Sequence, residues 1–280
     1  MHVHPFSDKR KALQKNEAVE LEGMVYYPLL VEDYEIWQAC KPVLLLRQGT
    51  LPVQYAVLPY LECVWAMSYD AAISRMMQGP EAGGGEWPAL MKILFLSLRL
   101  SDKDEIVPLG KVSNQRALTA IQIKQGDRTY QITSAQFQQV RELIAELNGE
   151  TLPDEADNPD LIQAQEDMNA ANAVPLNTEL NDLLASVASE RRIRKSELFE
   201  WTIKEFEEEV RSISRRYGYL VAAIVEANGG KYKEGNPTPS WCFDREKSDT
   251  AGLISMDALQ KAHNATISTD QNAPNTPSIS

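Results

Sequence analysis

Apolar residues recur along this chain mostly in steps of three and four, the period of a helix face. The longest such run is Phe199, Ile203, Phe206, Val210, Ile213, Tyr217, Leu220 and Ile224, stepping by 4, 3, 4, 3, 4, 3 and 4. An unbroken heptad predicts one amphipathic helix over 196–227, about 45 Å long at a rise of 1.5 Å per residue, stopped by Asn228-Gly229-Gly230. Burying each aliphatic or aromatic side chain contributes about 1.5–3 kcal/mol. The ridge therefore needs a cover, either from its own chain or from a partner.

Shorter patterns precede it. Residues 32–41 read as a helix with Tyr34, Trp37 and Cys40 on one face and Pro42 ending it. Val53, Val57, Tyr60, Val64 and Met67 predict another helix, kinked or broken at Pro59. Trp87 to Leu100 is a third, very apolar and too short to span a bilayer. Alternation appears between Thr119 and Ile132 around Gln125-Gly126-Asp127, which predicts a hairpin. Thr133 and Gln136 stand three apart as a capping box, flanked by Ile132 and Phe137 as a hydrophobic staple. The helix they open carries Phe137, Val140, Ile144 and Leu147 as a stripe and stops at Asn148-Gly149. Beyond a polar connector, 177–191 forms a further helix with Leu180, Leu184, Val187 and Ala188 turned inward.

Charge sharpens the division. The chain of 280 residues has a net charge of −12, and residues 150–183 hold nine acidic and no basic side chains. Such a block reads as a solvated connector, and it repels phosphate. The expected organisation is a flexible N-terminus (1–23), a helical domain with a hairpin (24–149), an acidic connector (150–175), a helical domain built on the long helix (176–262) and a disordered tail (263–280). The fold class is thus mainly α: two helical domains joined by an acidic connector, with one small β-hairpin in the N-terminal domain. Three cysteines make no disulfide framework. With no secretory h-region at the start, the expected location is the cytoplasm.

Candidate chemistry is sparse. The three histidines lie near the chain ends, and no C-x-x-C, H-x-x-x-H or H-E-x-x-H spacing exists. Neither a metal nor another cofactor is expected. Cys242 and His263 are 21 residues apart in loop-like surroundings, a poor nucleophile–base pair. Glu205, Glu207, Glu208 and Glu209 fall on the side of the long helix away from its ridge and read as a solvated face. Arg191, Arg192, Arg194 and Lys195 sit between two helices, as in some DNA readers. The acidic helix that follows argues against nucleic acid, and the cations read instead as compensating helix C-termini. No membrane partner is expected.

Several short stretches carry a likeness: Tyr26-Tyr27-Pro28-Leu29, Arg47-Gln48-Gly49-Thr50-Leu51-Pro52, Leu152-Pro153-Asp154, Glu200-Trp201-Thr202, and Gly235-Asn236-Pro237 leading to Pro239-Ser240-Trp241-Cys242-Phe243. Over most of 24–245 the chain resembles phage and prophage tail assembly chaperones of Gram-positive bacteria. The resemblance implies a non-enzymatic protein of the host cytoplasm that holds an aggregation-prone helical partner, the tape-measure protein, while the tail assembles. The protein-binding residues expected from the heptad ridge are Phe199, Ile203, Phe206, Val210 and Ile213, with Trp241 and Phe243 as aromatic anchors. A second copy of the chain is another candidate cover for the ridge. The alternatives are a structural component of the virion tail or baseplate and, third, a DNA-binding regulator acting through Arg191 to Lys195.

Overall fold

A computed structural model describes residues 2–78, 85–111, 114–153, 179–232 and 236–241. Among these, residues up to Ile213 form one compact unit and those from Ser214 onward a second. The acidic connector, Cys242, Phe243, His263 and the polar tail lie largely or wholly outside the described residues.

The fold is not the pair of helical domains expected: two three-stranded sheets accompany the helices. Two of the three strands of the first sheet use residues expected to be flexible. Strand β1 (Val3–Pro5) leads through α1 (Lys9–Lys15) to β2 (Ala18–Leu21), which lies parallel to β1, with Val3 opposite Ala18. A tight turn at Glu22-Gly23, both with positive φ (53° and 75°), reverses the chain into β3 (Met24–Tyr26). Positive φ at both central residues matches the twist of a two-residue hairpin, and Gly23 adopts it without steric cost. Burial of Ala18, Val19, Leu21, Met24 and Tyr26 holds this small sheet in place, and His4 Nε2 meets Glu17 Oε2 at 2.5 Å.

Helix α2 (Tyr34–Leu44) runs two residues past Pro42. The expected stop at that proline fails because Arg141 holds the end of the helix. Its Nε donates to Leu44 O and its Nη2 to Leu46 O, both at 2.7 Å. Pro59 does break the next helix, into α3 (Val53–Ala56) and α4 (Tyr60–Gln78). The predicted apolar face breaks with it: Val53 and Val57 are exposed, whereas Tyr60 and Val64 are buried. Helix α5 (Glu86–Ser97) follows, packed against α2.

The second sheet is a meander of β4 (Glu105–Lys111), β5 (Asn114–Gln125) and β6 (Arg128–Thr133), with β5 in the middle. The expected hairpin is β5–β6, turning at Gly126 with φ of 56°. Strand β4 lies outside the expected hairpin, at the edge of the sheet, and contains Pro108. An edge strand tolerates a residue without an N–H, and Pro108 sits opposite Ile121 there.

Helix α6 (Phe137–Leu147) is the centre of the larger core. The cap at its start is the one the spacing predicted: Thr133 N donates to Gln136 Oε1 at 3.0 Å and Gln136 N to Thr133 Oγ1 at 3.3 Å. Phe137, Val140, Leu143, Ile144 and Leu147 are buried against Trp37, Leu61, Val64, Leu90, Ile93, Ile121 and Ile132. At its far end Asn148 is fully buried. Its Oδ1 accepts from Leu29 N at 2.9 Å, and its Nδ2 donates to Ile144 O at 2.8 Å. A second, smaller core gathers Val31, Leu184, Val187, Ala188, Leu198 and Phe206. It is built on α7 (Leu180–Arg191), α8 (Lys195–Leu198) and α9 (Ile203–Ala227).

Asn148→Ala removes the acceptor for a buried backbone N–H. The expected cost is about 1–3 kcal/mol, read as a lower urea midpoint at unchanged slope. An unchanged midpoint would mean that Leu29 N finds another acceptor.

Candidate functional site

The predicted single rod over 196–227 is broken before Ile203. Residues Trp201 to Ile203 are drawn into main-chain pairing with Leu29 to Val31. Val31 N donates to Trp201 O and Ile203 N to Leu29 O, both at 2.9 Å, around a bridge between Leu30 and Thr202. A heptad reports which face is apolar, but it is blind to backbone groups claimed by a distant strand. Helix α9 then restarts through a capping box. Thr202 Oγ1 accepts from Glu205 N at 3.2 Å, and Glu205 Oε2 accepts from Thr202 N at 2.9 Å. Thr-x-x-Glu is a helix-start signal visible in the sequence, and it marks the start of α9 inside the longer heptad pattern.

The expected partner-binding residues therefore separate. Phe199 lies just past α8, half-exposed. Ile203 is fully buried in the larger core. Phe206 is fully buried in the smaller one, edge-on to Tyr34 with ring centroids 5.9 Å apart. Val210 and Ile213 pack half-buried against that same core. Ile203 and Phe206 are thus core residues in this fold and present no free surface. Trp241 is exposed, and Phe243 falls outside the described residues.

In the second unit, α9 shows a different surface. Tyr217, Leu220, Val221, Ile224 and Val225 are between 37% and 61% exposed, while Ala222 is buried. Positions 217, 220, 221 and 224 are related by steps of three and four, so they form one apolar stripe. Residues 236–241 return to this helix: Asn236 Nδ2 donates to Glu226 Oε1 at 3.0 Å. A Cβ on Gly218 would stand 3.1 Å from Thr238 Oγ1, so glycine lets that segment approach closely. The heptad pattern had marked Tyr217, Leu220 and Ile224 as apolar positions. Which half of the ridge would be covered was not encoded in the periodicity.

A second apolar feature is a groove of about 520 Å³ lined by Ile36 of α2, Pro88, Met91, Phe95 and Leu96 of α5 and Ile106 of β4, with Lys92 beside them.

The glutamates of α9 are not the uniform solvated face expected. Glu205 caps the helix. Glu207 Oε1 accepts from Gln38 Nε2 at 3.1 Å, and burial raises its pKa above the usual carboxylate value. Glu209 is only 6% exposed and accepts from Arg191 Nη2 through Oε2. In the basic cluster, Lys195 Nζ donates to Asn181 Oδ1 at 2.8 Å and Arg194 N to Glu197 Oε1 at 3.0 Å. Cys40 and Cys63 are buried free thiols. Among the described residues, no group of three or more His, Cys, Asp or Glu side chains is placed to hold a metal ion. No described helix is long and apolar enough to cross a membrane. Comparison of the chain with protein-family models, curated proteins and solved structures finds no match.

Because burial raises the Glu207 pKa, folding favours its protonated form. Its contribution is most favourable below the ordinary value of 4.5 and is lost as pH rises through the raised value. Glu207→Gln keeps an acceptor for Gln38 without the charge. The variant is expected to be more stable than the parent at pH 7, with the gap closing below about pH 4.5 in urea titrations. A gap independent of pH would contradict this.

Proposed function

We propose that the chain is a non-enzymatic assembly chaperone that shelters an apolar helical segment of another protein. In the phage-tail setting implied by its sequence likeness, that segment belongs to the tape-measure protein. The observation that carries this is the stripe of Tyr217, Leu220, Val221 and Ile224 on α9. Contiguous exposed apolar surface of this kind marks interaction sites. Anchors in steps of three and four suit a second helix laid alongside. Burial contributes about 1.5–3 kcal/mol for each fully covered side chain, so a few such contacts suffice for a reversible complex. The contact set is thereby moved along α9, away from Ile203 and Phe206, which the protein needs for its own core. Trp241, also exposed and in the same unit, is retained as an aromatic anchor.

Leu220→Asp and Ile224→Asp alter exposed positions and should leave the fold intact. Co-expression with the tape-measure protein followed by pull-down is expected to recover the pair with the parent chain. Either variant should cut recovery at least about tenfold, the loss of one apolar anchor replaced by a charge. Full recovery with both variants, circular dichroism being unchanged, would refute this assignment. A chaperone should also be absent from purified tails by mass spectrometry, whereas a virion component would be present there.

A further inference from the structure

Two cavities of the first unit meet on α5. One is the apolar groove, whose lining includes Ile36, Met91 and Ile106. The other, of about 360 Å³, has Glu32, Asp33 and Arg99 as its charged lining. Phe95 and Leu96 line both, so an apolar floor runs from one into the other.

The smaller cavity brings two acids from the turn before α2 together with a base just past the end of α5. Arg99 has a φ of 49°, a backbone conformation that favours glycine. Its guanidinium stands 4.3 Å from the centre of the Tyr27 ring. Such a stack covers one face of the guanidinium and directs its N–H donors sideways, a fork that suits carboxylate or phosphate oxygens. Asp33 lies near enough for Arg99 to act on its charge, yet its carboxylate makes no hydrogen bond or ion pair with another described residue. Burial and then Glu32 raise the Asp33 pKa. A cation beside these two acids would offset that cost.

A place for an anion and a place for a cation thus share one cavity of a size that suits a small ligand, without closing on each other. A bare zwitterion would use this cavity alone. The Phe95–Leu96 floor leads on into the groove, where Ile36 is 42% exposed. Covering that surface takes an apolar tail on the same molecule.

We propose that the two cavities form one site for a single-chain zwitterionic amphiphile. Its anionic group meets Arg99, its ammonium meets Asp33 and Glu32, and its aliphatic chain crosses Phe95 and Leu96 into the groove. The site is separate from the apolar stripe of α9 and does not rest on the chaperone reading.

Isothermal titration of the full chain with dodecylphosphocholine, kept below its micelle-forming concentration, tests this. The probe should bind with one-to-one stoichiometry. Phosphocholine is the same head without the chain, and dodecyl maltoside is the same chain with an uncharged head. Each should bind at least about tenfold more weakly. Asp33→Asn and Arg99→Gln should each weaken dodecylphosphocholine on the order of tenfold, the size of one charge-assisted contact. Ile36→Asp, at an exposed position, should weaken it from the groove end. Asp127→Asn, an exposed acid in the turn between β5 and β6, changes net charge as Asp33→Asn does. It lines neither cavity and should leave affinity within about twofold. Circular dichroism checks the fold of each variant. Absence of one-to-one binding would overturn the proposal. Equal affinity for dodecyl maltoside would overturn it by showing apolar surface alone, and equal affinity for phosphocholine by leaving the groove unused. Unchanged affinity in both Asp33→Asn and Arg99→Gln would overturn it as well.

Discussion

The structure depends on how the extended segment Tyr27 to Val31 satisfies its backbone. A buried peptide group must find a partner, and this segment finds four, each remote in sequence. Tyr27 N donates to Ser97 O at the end of α5. Leu29 N donates to the Asn148 side chain at the end of α6. Leu29 O and Val31 N pair with Ile203 and Trp201 at the start of α9. Pro28, lacking an N–H, adds no donor to be satisfied. One short stretch thus fixes where α5 and α6 stop and where α9 begins. Leu29 and Val31, both buried, enter the larger and the smaller core respectively.

That crossing sets the surfaces of α9. Once Ile203 is pinned to Leu29, the first turns of the helix are committed: Ile203 enters the larger core and Phe206 the smaller. Within the same first turns Glu209 is buried and accepts from Arg191 at the end of α7. Farther along, Tyr217, Leu220, Val221 and Ile224 keep much of their apolar surface in solvent. A helix that spends one half on its own core and exposes the other suits a protein that receives a second helix.

Local chemistry was legible in the sequence, and long-range pairing was not. The Thr133–Gln136 cap, the stripe from Phe137 to Leu147, the turn at Gly126 and the break at Pro59 each rest on residues a few positions apart. Strands β1 and β2 are three and four residues long. Their pairing exists because α1 returns the chain, which no short-range pattern encodes. Pro108 hid β4, since a proline weighs against a strand until the strand is known to be an edge. For the candidate site, the heptad found the helix but overran its start by crossing Phe199 to Thr202. The burial of Glu209 was hidden too, because it needs Arg191, eighteen positions earlier, to close over it.

Amide hydrogen exchange along α9, followed by mass spectrometry in the free protein and in the complex with its co-expressed partner, addresses the division of this helix most directly. The account predicts strong protection over 203–213 in both states, with faster exchange over 214–227 in the free protein that slows by at least about tenfold in the complex. Uniform protection of the whole helix in the free protein, or exchange over 214–227 unaltered by the partner, would contradict it.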